Sequence, residues 1–296
     1  MHDHAGDAKV VREGLRSRRR PQSPLRMWTT DFSEVSLFNW YRGRRAFLVL
    51  SGPSLATVDL SQLSRRGIVS MGVNNSWAVH RPTLWTCVDE PRRFLDVGWK
   101  DPGILKVIPA EHARGRLRVQ LGDERFRASQ FTVRDMPSVL LYRRSDFFDP
   151  KRFLDRDTVS WGCASRFTDT LGIKGKRSVM LAAVGLLQHL GFSEVYLVGA
   201  DFRMDAGHRY AFSEWRSRDA IRHNQMLYSA LDRRFAALRP AFERVGFRVL
   251  NTTPGSGLKA FDHIDYGEAV ERAAAECGKE FTTEGWYQPR PKEAVG

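Results

Sequence analysis

The sequence predicts an α/β protein built on a doubly wound, mostly parallel sheet, and three observations carry that expectation. Apolar runs of strand length alternate with amphipathic helical stretches along most of the chain. Several of those runs end in small or polar residues, the kind that face a ligand at the carboxyl ends of parallel strands. The length of 296 residues suffices for one large domain of this type.

Taken in order, the first strand is expected at 45–50, where Arg45-Ala46-Phe47-Leu48-Val49-Leu50 runs into Ser51-Gly52-Pro53-Ser54-Leu55. Gly and Ser add little bulk there and Gly tolerates φ > 0, so backbone N–H groups can approach a phosphate closely. A short helix or turn follows at 55–64, then strands at 68–73 and 83–88. These end in Val73-Asn74-Asn75-Ser76 and Cys87-Val88-Asp89-Glu90. Residues 100–175 hold short β-like pieces (Leu105–Ile108, Phe131–Val133, Val139–Tyr142) among many arginines and interleaved aromatics. This stretch reads as an Arg-rich insertion or lid over the site, or else as an irregular surface subdomain with solvated charges.

Val179, Ala182, Ala183, Leu186, Leu187 and Leu190 recur at helical spacing, so a helix spans about 177–190 and Gly191 ends it. Glu194–Gly199 is a buried strand, and 200–217 a polar loop. The next helix carries the stripe Ile221, Asn224, Tyr228, Leu231, Phe235 and Leu238 and is broken by Pro240. Gly246–Leu250 is another strand, Asn251–Gly257 a second small-residue loop, and the last helix occupies about 266–277. The expected organisation is a basic N-terminal arm over 1–43, a transferase domain over 44–277 and a C-terminal tail over 278–296. Lys9, Arg12, Arg16, Arg18, Arg19, Arg20 and Arg26 make the arm basic.

Hydrophobic residues make up 42% of the chain and charged ones 27%, which excludes a disordered chain. No apolar run approaches the ~20 residues of a membrane span, and Met1-His2-Asp3-His4 lacks the apolar core of a signal peptide. A cytoplasmic protein without membrane attachment is expected. Cys87, Cys163 and Cys277 are widely spaced, which predicts neither a disulfide framework nor a zinc site. The net charge of +13 comes from 47 basic and 34 acidic residues, and only nine of the basic ones are Lys. The arginine excess reflects either a GC-rich genome or a polyanionic partner that guanidinium forks bind bidentately.

The chemistry-bearing residues collect at one sheet edge. Asp201-Phe202 follows strand 194–199, His208 and Tyr210 lie in the loop beyond, and His223 opens the next helix. The same edge carries Ser51–Ser54, Asn74 and Asp89. The crevice would hold a base (His223), a phenol (Tyr210), a carboxylate (Asp201), hydroxyls (Ser54, Ser178) and cations (Arg177, Arg203, Arg209). Such a set can displace a phosphorylated leaving group, the His taking the acceptor's proton while phenol and cations hold the departing phosphate. Each member also has an ordinary reading: a capping His, a loop-shaping Asp, a core Tyr. Asn224 stands in an apolar stripe and needs a partner of either kind.

The set Ser51-Gly52-Pro53-Ser54-Leu55, Gly72-Val73-Asn74, Val195–Phe202 and Tyr210-Ala211-Phe212 resembles the bacterial sialyltransferases of glycosyltransferase family 42. It is also similar to the wider superfamily of archaeal 6-hydroxymethyldihydropterin pyrophosphokinases and flagellin-modifying transferases. The resemblance covers roughly Arg44 to Phe261. It implies a Rossmann-like fold that binds a nucleotide-sugar of the CMP or UDP type without a tightly bound metal. It further implies that Ser54 and Asn74 help hold the nucleotide and that Ser178 lies near its phosphate; Ser51, Gly52, Pro53, Asp89, Arg177 and Arg203, expected at the same sheet edge, are read with them as nucleotide-binding. Tyr210 would contact the leaving phosphate and His223 would be the general base, with Asp201 beside them. Three positions depart from the sialyltransferase pattern. Ser51 replaces the usual Asn, Arg203 replaces a second tyrosine, and Asp89-Glu90-Pro91 looks like the Val-Asp-Pro of the broader superfamily. Arg203 suits a more highly charged leaving group, such as a nucleoside diphosphate.

The favoured function is glycosyl transfer from a nucleotide-sugar to a hydroxyl acceptor that is anionic, hydroxymethylated pyrimidines in phage-type DNA being one candidate. A duplex base would have to leave the stack to react. The alternatives are a Mg²⁺-dependent pyrophosphokinase acting on a pterin-like alcohol, with Asp89 or Asp201 as metal ligand, and a non-catalytic nucleotide- or nucleic-acid-binding module.

Overall fold

A computed structural model describes residues 25–94, 96–120, 126–203 and 218–275. It is an α/β structure around one large, mostly parallel sheet of ten strands. In chain order the strands of that sheet are β1 (Met27–Trp28), β2 (Glu34–Val35), β3 (Arg45–Val49), β4 (Val69–Val73), β5 (Leu84–Thr86), β6 (Leu105–Pro109), β9 (Val139–Tyr142), β12 (Glu194–Val198), β13 (Arg248–Asn251) and β14 (Asp262–His263). Between them come an antiparallel hairpin of β7 (Arg116–Gln120) and β8 (Phe126–Thr132), and a small parallel pair of β10 (Arg144–Ser145) and β11 (Val159–Ser160).

The spatial order is β14-β13-β12-β3-β4-β5-β6-β9-β1-β2. All neighbours from β14 to β9 pair in parallel, while β9–β1 and β1–β2 are antiparallel. The chain therefore builds outward from β3 in one direction through β4, β5, β6 and β9. It then returns to the other flank of β3 and builds outward again through β12, β13 and β14. Adjacent strands whose connections leave in opposite directions open a crevice at their carboxyl ends, and here those strands are β3 and β12. Their register runs from Glu194↔Arg45 to Val198↔Val49, so both end level with each other.

Parallel strands covered on both faces read as unbroken apolar runs, which is why β3 and β12 were legible. Ala46 and Leu48 join one core with the helices α2 (Val179–His189) and α3 (Arg218–Arg244). Phe47 and Val49 join a second core with α4 (Tyr266–Ala274). A third core gathers Trp85, Ile108 and Leu141 around Trp99 of the short helix α1 (Asp96–Lys100). Ser178 caps α2, its Oγ accepting from the Met180 N–H at 3.2 Å. Gly191 follows the helix with φ 90°, and a Cβ there would lie 2.7 Å from Asn39 Cα.

Several expectations need correction. The arm does not extend to residue 43: β1 and β2 form the antiparallel edge of the sheet, and Met27, fully buried, pairs with Tyr142. Strands of two residues are too short to show an alternation pattern. Residues 100–175 are not one separate insertion either, because β6 and β9 are strands of the main sheet. Pro240 does not break α3, which continues to Arg244. Phe235 and Leu238 before the proline and Ala241 and Phe242 after it are all buried. Packing on both sides outweighs the roughly 3 kcal/mol that an interior proline costs. The described helix already runs from Arg218, so His223 lies no earlier than its second turn rather than at its start. Among the described residues no helix is long and apolar enough to cross a membrane.

Candidate functional site

Ser51, Gly52 and Pro53 from the end of β3, Asn74 from the end of β4, Ser178 from the start of α2, and Asp201 and Arg203 from the end of β12 line one cavity of about 170 Å³. Leu227, Tyr228 and Leu231 of α3 wall its far side, and the Tyr228 ring lies 5.0 Å from Phe202. A second cavity of about 570 Å³ adjoins it, sharing Asn74, Ser178, Val179 and Leu227 and continuing to Asp89, Arg177 and Trp161. Most of the residues singled out in the sequence thus come together at the crevice between β3 and β12. His208, Arg209 and Tyr210, and the side chains of His223 and Asn224, lie outside the described residues.

The Gly52 loop differs from the phosphate cradle expected of it. Gly52 is extended, with φ −67° and ψ 153°, so it needs no left-handed backbone. Its N–H donates to Gly199 O at 3.0 Å. A Cβ at this position would lie 1.8 Å from Asp201 Oδ2 and 2.4 Å from Gly199 O. Glycine is required because two strand-end loops touch, not because a ligand needs the space.

Asp201 holds that contact. It is 6% exposed; its Oδ2 accepts from Ser54 Oγ at 2.7 Å, and its carboxylate also receives the Ser54 N–H at 3.3–3.4 Å. Both Asp201 and Ser54 are engaged with each other, which assigns them to shaping the crevice wall. The loop after β13 braces the other side: the Ala200 N–H donates to Thr253 Oγ1 at 2.9 Å and the Gly257 N–H to Asp201 O at 2.8 Å.

Asn74 is the most unusual residue of the site. Its φ is 51°, and its backbone oxygen accepts from Trp85 Nε1 at 2.7 Å. Its side-chain Oδ1 is shielded from solvent and has no hydrogen-bond partner among the described residues. A buried acceptor left unpaired costs about 1–3 kcal/mol, and a donor supplied by a ligand would remove that cost. Beside it, the N-terminus of α2 favours negative charge.

In the larger cavity Arg177 places its guanidinium 4.6 Å from the Trp161 ring centroid, and in the smaller one Arg203 donates to Gly255 O at 3.3 Å. Asp89 lines the larger cavity. Cys87, buried two residues before it, is no nucleophile: burial, and secondarily the Asp89 charge, push its thiol pKa up. Among the described residues no group of His, Cys, Asp and Glu side chains could hold a metal ion.

Sequence reasoning missed Lys174, Lys176 and Trp161, which line the larger cavity, and Arg234, which holds the segment carrying the lysines. The run Lys174-Gly175-Lys176-Arg177 directly before the helix-capping Ser178 was the available signal. Nothing in the sequence marked Arg234. Compared with known protein families, with curated proteins and with solved structures, the chain finds no match in any of the three.

Proposed function

We propose that this protein is a nucleotide-sugar-dependent glycosyltransferase acting on a hydroxyl acceptor, with a doubly wound, Rossmann-like fold. The observation that carries the reading is the convergence at the β3–β12 crevice. An apolar cavity meets a cationic one there, across a wall formed by Asn74 and the N-terminus of α2. The nucleoside takes the smaller cavity, between the Ser51–Pro53 loop and Tyr228. Its phosphates reach the shared wall at Ser178, with Arg177 next to it in the larger cavity, and a small rotation of the Asn74 side chain would let its Oδ1 accept a hydroxyl of the ligand. The resemblance to family 42 supports the same placement.

In the reaction, the acceptor hydroxyl oxygen forms a bond to the anomeric carbon while the bond from that carbon to the donor phosphate oxygen breaks. The nucleotide leaves with the electron pair, and the hydroxyl proton passes to His223, assigned from the resemblance. Tyr210 and Arg203 receive the charge that develops on the leaving phosphate. Asp201, engaged with Ser54, keeps the wall in place and takes no proton.

Melting the protein with CMP, UDP, GDP and ATP in turn tests the reading. A pyrimidine nucleotide at 100 times its Kd should stabilise by about 2.7 kcal/mol. Stabilisation by ATP alone, and only with Mg²⁺, would instead support a pyrophosphokinase, and EDTA would then abolish turnover. No stabilisation by any of the four would refute a nucleotide-dependent transferase.

A further inference from the structure

We propose that the larger cavity is a second subsite that takes a phosphate ester carried by the acceptor. This deepens the transferase reading and rests on it for the word acceptor. At about 570 Å³ the cavity is large enough for a whole small ligand beside the smaller one. Lys174, Lys176 and Arg177 line it from one four-residue stretch, and among the described residues that line it Asp89 is the one carboxylate. Among the described residues neither lysine ammonium makes an ion pair, and Lys174 is exposed. Three cations that line one cavity make its potential positive, which favours a doubly charged anion there.

The backbone that carries these cations is also held in place before any ligand arrives. Arg234 and Asp169 form an ion pair of 2.7 Å whose side chains are both fully buried. Arg234 donates to Gly175 O at 2.8 Å and to Lys176 O, and Asp169 Oδ1 accepts from the N–H groups of Leu171 at 3.0 Å and Ile173 at 2.8 Å. Lys176 is kept at φ 67°. A backbone fixed at both ends of the 169–176 stretch presents its charges without reordering on binding. The two cavities share Asn74, Ser178, Val179 and Leu227 in their linings, so ligands in them would lie side by side, as transfer between them requires.

The probes are ribose 5-phosphate, a single-stranded hexathymidylate, glucuronate and neutral ribose, each titrated calorimetrically with the best nucleotide present. Ribose 5-phosphate stands for a free phosphomonoester and the oligonucleotide for a nucleic-acid backbone; binding of either by the wild type supports the proposal. The double variant Lys174→Gln/Lys176→Gln should lose at least tenfold in affinity for that probe, while nucleotide affinity stays within twofold. Lys174→Glu, at an exposed position, should move the same way without touching the fold. Undiminished binding by the variants, tighter binding of glucuronate than of either phosphate ester, or no binding of a phosphate ester overturns the proposal. A parallel loss of nucleotide affinity does so too, because the lysines then serve the donor. Lysine-dependent ribose 5-phosphate binding without any nucleotide binding would refute the transferase reading, and with it the acceptor role, while leaving a phosphate site.

Discussion

Gly52→Ala separates two explanations of a glycine beside a candidate nucleotide site. If the residue left room for a phosphate, alanine would weaken binding and leave stability alone. The contacts argue the reverse. A Cβ lies 1.8 Å from Asp201 Oδ2 and 2.4 Å from Gly199 O, and the latter is backbone at the end of a buried strand. The carboxylate must swing away, and Ser54 then loses its hydrogen bonds to Asp201. Loss of a hydrogen bond to a charged group contributes about 1.5–3 kcal/mol, and the residual overlap with Gly199 adds roughly 1 kcal/mol or more. The expected destabilisation is about 3 kcal/mol, a fall in Tm of roughly 6–12 °C for a domain of this size. Urea denaturation of the wild type, Gly52→Ala, Asp201→Ala and the double variant forms a cycle. The double variant should be more stable than the sum of the single effects predicts, by at least 1 kcal/mol, because removing the carboxylate removes the worst overlap. A Gly52→Ala protein as stable as the wild type, with impaired nucleotide binding, would falsify the contact argument and restore the phosphate-cradle explanation.

Arg234→Leu should cost about 3–5 kcal/mol in denaturant titrations, since it strands the buried Asp169 carboxylate and two carbonyls; a loss below 1 kcal/mol would mean the pair does not anchor the segment. His189 sits at the end of α2 with its Nε2 buried and, among the described residues, unpartnered, and burial pushes its pKa down to about 4. The unfolded chain binds that proton near 6.5, so stability is lost as pH falls from about 6.5 towards 4, by up to about 3 kcal/mol. His189→Gln should flatten the pH dependence of Tm in that window, and an unchanged slope would contradict the assignment. His223→Ala should lower turnover by roughly 10²–10⁴-fold with little change in nucleotide affinity. Normal turnover by this variant would move the base to Asp89, because Asp201 is engaged with Ser54.

What the sequence revealed follows the range over which each feature acts. β3 and β12 carry apolar runs bounded by Gly, Pro or polar residues, and α2 carries its own stripe, its Ser178 cap and its terminal Gly191. These signals are local, so one stretch of chain suffices to read them. The polar strand ends at Ser51, Asn74 and Asp89 were legible for the same reason, because a parallel sheet places all such ends on one edge. The Asp201–Ser54 contact spans 147 residues and the Arg234–Asp169 pair 65. No pattern in either neighbourhood announces its partner. An arginine in a helix is ordinarily taken as solvated, yet Arg234 is fully buried because three acceptors converge on it. The same local logic misled at Pro240, where distant packing sustains the helix, and at β1 and β2, whose edge pairing depends on Tyr142 and Leu141 far along the chain.

Backbone strain points to the crevice independently of charge and cavity volume. Six described residues other than glycine have positive φ, and three of them, Asn74, Lys176 and Phe202, line the two cavities. Such conformations cost of order 1–3 kcal/mol each and persist where surrounding contacts over-determine them. Those contacts are present at every one of the three. Trp85 Nε1 holds the Asn74 carbonyl, Arg234 holds the Lys176 carbonyl, and the Gly257 and Tyr228 contacts fix the Asp201-Phe202 turn. The anchors come from three separate elements: β5, α3, which supplies two of them, and the loop after β13. Relaxing any one strained residue therefore requires breaking a contact to a separate part of the fold, which keeps the cavity walls rigid in the absence of ligand. A site of this kind binds with little ordering cost. Its ligand should accordingly stabilise the protein without a large change in the denaturant dependence of unfolding, and a ligand-induced change in m-value would show that the walls are instead formed on binding.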